Sequence, residues 1–322
     1  MRVLFRILGS VLLALALLAG LLGFLAWRAV EAPGPLDQPI QVVIPRGGTA
    51  AIADMLEARG VISNARLFTA AAVLTREQGP LRAAEFAIPA GASIRQVLTV
   101  LREARPVQRR LTIPEGLTAG QIRLLLDNAE GLTGETPAFA EGTLLPETYA
   151  FSFGDSRASI VRRATAAMDQ ALEEIWAARA PNLPLASPRE AVILASIIER
   201  ETSVPAERGL VAGVFINRLR RGMMLQSDPT VAFGAGQGMP LDRPLTRADL
   251  AQDHPYNTYR IRGLPPGPIA APGRDSLRAA TQPETTAYLF FVADGTGGHA
   301  FARTLDEHNR NVARWRALRR AQ

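Results

Sequence analysis

The 322-residue chain contains no cysteine and, on inspection, no lysine. The first absence excludes disulfides, thiolate nucleophiles and thiolate metal sites. The second makes all 36 basic residues arginine. Histidine is scarce: His254, His299 and His308 show no HExxH or other ligand spacing, so no metal or other cofactor is expected. Aromatics are 6% of the chain and the arginines are scattered, which disfavours nucleic acid as a partner. What remains is a basic, alanine-rich chain of formal charge +6, a balance that suits coding bias or attraction to an anionic polymer or membrane surface.

The length allows two domains besides an anchor. Residues 7–27, "ILGSVLLALALLAGLLGFLAW", carry no charge and are long enough to span a hydrocarbon core as a helix. Arg2 and Arg6 precede the run and Arg28 stands alone behind it, so residues 1–6 are placed in the cytoplasm and the body outside the membrane. A cleaved signal peptide is the rival, but its apolar region is normally shorter, ~7–15 residues. Residues 28–39, which include "EAPGPLDQP", read as a Pro-rich linker.

Three similar segments follow, starting at Gln41, Ala84 and Arg109. Each is a short apolar strand, Ile-Pro-x-Gly, a Ser or Thr, and an amphipathic helix. Proline ends the strand, glycine permits the turn, and Thr49, Ser93 or Thr118 can cap the helix. Such modules suit polymer contact or plain α+β packing equally well.

"AVILASIIERET", residues 191–202, is almost wholly apolar before Glu199 and Glu201. At 100° per residue Leu194, Ile197, Ile198 and Glu201 share a face, while Glu199 falls on the opposite, solvated side. A carboxyl on an apolar face has a raised pKa, as a general acid near neutrality requires. A buried ion pair between Glu201 and Arg218 is the structural alternative. A helix over about 211–221 leads into a polar loop, and a loop dense in Asn, Tyr, Thr and Arg follows, then a strand–hairpin–strand and a closing helix in "LDEHNRNVARWRALRR". The loops gather Gln226, Ser227, Asp228, Tyr256, Asn257, Tyr259 and Arg260, side chains able to bond sugar hydroxyls.

"EGTLLPETYAF", "ILASIIERET", "VFINRLRRGMMLQSDPT", "LTRADL", "YNTYRIRGLPPGPIAAPG" and "LFFVADGTGGHAFARTLDEHN" together resemble the endolytic murein transglycosylase family, the YceG-like proteins. The match is dense over residues 140–315. It implies an α+β fold with one N-terminal transmembrane helix, a LysM-like domain over 40–108 and a catalytic domain over 109–318. It further implies an inner-membrane lyase facing the periplasm, without cofactor, which cuts the β-1,4 bond between N-acetylmuramic acid and N-acetylglucosamine in nascent glycan strands, leaves 1,6-anhydro ends and terminates elongation. Partners implied are peptidoglycan and the penicillin-binding synthases. The family's catalytic glutamate aligns with Glu201, and Glu199 is the alternative because the motif offers both. Gln226, Asp228, Tyr256, Asn257 and Arg260 align with positions that bind substrate or orient the acid. Glu147, where relatives commonly carry Asp, is a further candidate. A non-catalytic wall-binding scaffold and an ordinary hydrolase are the rival readings.

Overall fold

A computed structural model describes residues 2–321, which form two compact units. Among the described residues the first comprises 2–109 with 152–154, and the second 110–151 with 155–321.

In the first unit, helix α1 (Arg2–Glu31) contains the apolar run, and Gly9–Glu31 is long and apolar enough to cross a membrane, a test that a signal sequence also passes. The helix continues past residue 27 into the first four residues of the segment expected to be linker. It stops where Ala32 precedes Pro33, because proline disfavours helical geometry in the residue before it. The rest of that segment is docked: Gly34 N–H donates to Gly91 O at 3.1 Å and Gly91 N–H to Leu36 O at 2.8 Å. A Cβ at Gly34 would lie 2.2 Å from Ala92 O, so only glycine fits this approach.

Strands β1 (Ile40–Val43) and β2 (Glu85–Ile88) pair antiparallel, with Val42 opposite Phe86. Helices α2 (Thr49–Ala58), α3 (Ala65–Leu74) and α4 (Ile94–Glu103) complete the unit. Val42, Ile52, Leu56, Phe68, Phe86, Ile88, Val97 and Leu101 form its core. Ser93 caps α4 in a reciprocal capping box with Gln96, as the sequence suggests. Thr49 does not cap α2: it is the helix's first residue, and Gly48 takes the cap position without a side chain to bond.

Strand β3 (Gln108–Thr112) leads into the second unit, where it pairs with β4 (Thr148–Ser152) and α5 (Ala119–Asp127) starts from a Thr118–Gln121 capping box. Then come α6 (Arg157–Ala177), α7 (Pro188–Glu201), α8 (Arg208–Arg220), α9 (Asp228–Ala235), α10 (Arg247–Ala251) and α11 (Arg274–Thr281). The antiparallel hairpin β5 (Phe290–Ala293) and β6 (His299–Ala302) and helix α12 (Leu305–Ala321) close the chain, as its sequence suggests. The stretch after Arg221, read as continuous polar loop, includes α9, because Ser227-Asp228-Pro229 supplies a helix start. Helix α7 is the axis of this unit. Its residues from Ala191 to Ile198 are all buried, among α6, α8, α9 and α11.

Candidate active site

The sequence of α7 fixes both of its ends. Ser187 accepts from Glu190 N–H at the start and Pro188 sets the first turn. At the other end Glu201 is the last helical residue, so the negative pole of the helix adds to the cost of a charge there. Its carboxyl is partly buried, and Ser227 Oγ donates to Glu201 Oε1 at 2.5 Å.

Ser227 is held in turn. Its N–H donates to Thr258 Oγ1 at 2.9 Å, and Thr230 Oγ1 lies 2.9 Å from Thr258 Oγ1 and donates to Ser227 O. Ser227, Thr230 and Thr258 are all buried, so a dry hydroxyl cluster fixes the donor beside the acid.

Burial, opposed by the Ser227 hydrogen bond, helped by the neighbouring Asp228 charge and opposed by the Arg218 guanidinium, leaves the Glu201 pKa raised to about 7. The balance leaves an acid able to give and take a proton near neutrality. Arg218 is not its ion-pair partner: no salt bridge joins them among the described residues. The guanidinium is instead spent on Leu289 O, Met224 O, Leu225 O and Gln226 Oε1. It therefore braces the loop that carries Ser227.

Glu199 corrects the expectation of a solvated face. Its side chain is only 6% exposed, it accepts from Gly273 N–H at 2.9 Å, and it pairs with Arg208 at 3.3 Å. The segment 269–273 lies over this side of α7, stapled also by Ser196 Oγ accepting from Ile269 N–H at 3.0 Å. Glu199 is thus held by an ion pair and a backbone hydrogen bond.

The other sequence candidates separate into two groups. Gln226, Asp228 and Tyr259 stand with Glu201: Gln226 at φ 50° flanks Ser227, and Tyr259 OH donates to Asp228 Oδ1 at 2.6 Å. Tyr256 packs on Phe233, ring centroids 4.9 Å apart, and burial raises its pKa. Asn257 is buried within its own loop. Its amide donates to Asp249 O, Leu250 O and Gln252 O and accepts from Tyr259 N–H, so it shapes the loop. Arg260 pairs with Asp253 in solvent, and Glu147 pairs with Arg274 at 2.8 Å, with no described contact to Glu201.

Two groups escaped the sequence reading. Glu207 accepts from His299 N–H at 2.8 Å, lies 2.7 Å from His299 Nδ1, and accepts from Thr202 Oγ1. Burial alone would raise its pKa, but the His299 and Thr202 hydrogen bonds more than offset this and lower it. The pair ties the residue after Glu201 to the β5–β6 hairpin. Glu141 accepts from Ala119 N–H through both oxygens at 2.9 Å, and desolvation raises its pKa to about 7. Glu141 sits at the positive pole of α5, which favours its ionised form, whereas Glu201 meets a negative pole. Only long-range contact could have revealed either role.

A cavity of about 270 Å³ in the same unit is lined by Thr118, Gln121, Arg200, Phe233, Met239 and Arg243 among others, and Glu201 itself is not part of its wall. Its wall residues Arg200 and Pro229 are the chain neighbours of Glu201 and Asp228.

Fold and site define an α+β chain built around one desolvated carboxyl at the end of a buried helix. The chain belongs to the YceG-like family, whose sequence model matches residues 42–314. It is similar to the endolytic murein transglycosylase of Bacillus subtilis (strain 168), 40% identical over 170 residues that cover 53% of this chain and 46% of the relative. It is 30% identical to the endolytic murein transglycosylase of Streptococcus pneumoniae serotype 2 (strain D39 / NCTC 7466), over 85% of this chain and 58% of the relative. The chain therefore spans about half the length of these relatives. A 2.6 Å crystal structure of a YceG-like protein from Listeria monocytogenes superposes with TM-score 0.55 at 30% identity, over 85% of this chain and 98% of that one.

Proposed function

We propose that the chain is a membrane-anchored endolytic lytic transglycosylase acting on peptidoglycan, with Glu201 as its acid and base. The observation that carries this is a carboxyl raised to about 7 at the end of a buried helix, hydrogen-bonded by Ser227 and flanked by Asp228. Glu201 gives its proton to the glycosidic oxygen of the leaving N-acetylglucosamine as the C1–O4 bond breaks. The C6 hydroxyl of the N-acetylmuramic acid then attacks C1 and yields its own proton to Glu201. A 1,6-anhydro ring forms, no water is consumed, and the enzyme returns protonated. One residue serves both steps because it titrates near the working pH. Gln226, Asp228, Tyr259 and Tyr256 contact the strand, and Arg218 and Asn257 hold the loops that present them.

Helix α1 anchors the chain in the inner membrane with the body on the periplasmic side, where nascent strands emerge. The region 40–108 is a LysM-like module that adds glycan contact. Cutting strands as they leave penicillin-binding synthases would set their length.

Asp228 supports a second reading. Its charge is near enough to act on Glu201, and a second carboxylate could activate water, as in a hydrolase. The full chain digesting uncross-linked glycan strands, with products read by mass spectrometry, separates the two. Anhydro ends that depend on Glu201 support the transglycosylase. Ends heavier by one water would replace it with the hydrolase. Strands bound but uncut would leave a binding scaffold.

A further inference from the structure

The C-terminal end of α3 is apolar and uncovered. Leu74 is 84% exposed and Val73 56%, although Phe68, Ala71 and Ala72 of the same helix lie in the core. Isolated exposed apolar residues need no explanation. Leu74 is not isolated, because it borders a groove of about 310 Å³ against α1. Gly23, Ala26, Trp27 and Val30 of α1 and Leu67, Ala70, Ala71 and Leu74 of α3 line it, and Leu98 with the polar Thr75, Gln78 and Arg95 completes the lining. Both sets follow the i, i+3, i+4, i+7 spacing of a single helical stripe. Two apolar stripes therefore face each other without closing. Arg95, which also lines the groove, pairs with Glu31 and so ties α4 to α1.

The depth of the groove follows from α1. If its apolar run spans the bilayer, Trp27 lies at the outer interface, where tryptophan is favoured. Gly23 is four residues deeper, about 6 Å at 1.5 Å per residue. Side chains that share a groove with Gly23 and Ala26 are thus level with lipid tails. Water at that depth would face two apolar walls, whereas an acyl chain matches both. Arg76, exposed just beyond Leu74, lies where a lipid phosphate can meet it.

We propose that the end of α3 dips into the outer leaflet beside α1 and that a phospholipid acyl chain fills the groove between them. This rests on the anchoring of α1 proposed above. The dip adds a second membrane contact to the anchor and holds the first unit against the bilayer surface, where a tether of one helix alone would let it swing.

The absence of cysteine makes the test direct. Single-cysteine variants Leu74→Cys, Leu17→Cys and Leu124→Cys of the full chain, all at exposed positions, carry a nitroxide in phosphatidylethanolamine–phosphatidylglycerol vesicles. Collision rates with oxygen, which concentrates in lipid, and with a water-soluble nickel chelate report the surroundings of each label. The labels at 74 and 17 are expected to favour oxygen several-fold over nickel, and the label at 124, on the second unit, the reverse. A label at 17 in lipid with 74 in water overturns the dip and leaves the anchor. Both in water overturns the anchor and the dip with it. Low collision with both reagents at 74 means a protein occupant and also overturns the proposal.

Discussion

Ser227 Oγ reaches Glu201 Oε1 at 2.5 Å although 26 positions separate them in the sequence, and Ser227 is held there by Thr258, 31 positions further on. Three separate stretches thus converge on one carboxyl. The relation is consequential because a donated hydrogen bond stabilises the ionised form, against the desolvation that disfavours it. The site sets the proton affinity of its acid by the balance of these two effects.

Replacing Glu201 with Gln keeps the shape and the Ser227 contact but removes the transferable proton. Cleavage of glycan strands should fall by ~10²–10⁴, the usual worth of general acid–base help, with binding retained in a pull-down on insoluble peptidoglycan. Glu199→Gln should behave differently. It leaves Arg208 facing less charge and should cost about 1–3 kcal/mol of stability in urea, with cleavage retained by the folded protein. A dead, fully stable Glu199→Gln would reverse the two roles.

The neighbours of Glu201 should shift its titration in opposite directions. A protonated Glu201 starts the reaction, so activity should decline as pH rises through about 7. Ser227→Ala removes a contact that lowers the pKa and should move that decline to higher pH. Asp228→Asn removes a charge that raises it and should move the decline to lower pH, while its amide oxygen still accepts from Tyr259. Rate–pH profiles of the three proteins check this, and shifts of the same sign would remove Glu201 as the group titrating.

How far the sequence revealed this site can be judged from α7. The 3.6-residue period found the helix and picked out Glu201 as a carboxyl against apolar neighbours. It misread Glu199, because periodicity ranks faces of one helix and cannot see the segment 269–273 folded over the other face. In the strand–turn–helix repeats the Ser93 and Thr118 caps were legible because they act locally, whereas Thr49 lies one position inside its helix, behind Gly48. Asn257 looked like a ligand group by type, but the carbonyls that occupy it are set by the turn geometry around α10. The His299–Glu207 pair spans 92 positions and left no local signal.

Asn257 gives a test of loop shaping as opposed to binding. Asn257→Ala strands three carbonyls and the Tyr259 N–H in a buried setting, each unmet group costing about 1–3 kcal/mol before water enters. The melting temperature should fall well below that of the parent, and Tyr259 and Thr258 should lose their positions beside the acid. Unchanged melting with weakened glycan binding would return Asn257 to the ligand contacts.

The raised acid also makes a stability prediction. Glu201 has an ordinary pKa of 4.5 when unfolded and about 7 when folded, so between those values the folded state binds more protons. Stability must then fall as pH rises through that window, and the destabilisation is complete above about 7. A shift of this size corresponds to up to about 3 kcal/mol. Glu201→Gln cannot ionise and should melt higher than the parent at pH 8, while matching it near pH 4, where both side chains are neutral. Glu141 shifts in the same direction, so Glu141→Gln should add a further gain at pH 8. Circular-dichroism melts of the parent, both single variants and the double variant at the two pH values measure it. Equal melting of parent and Glu201→Gln at pH 8 would mean that Glu201 is ionised at little cost in the folded protein, and its candidacy as the proton donor would fail with it.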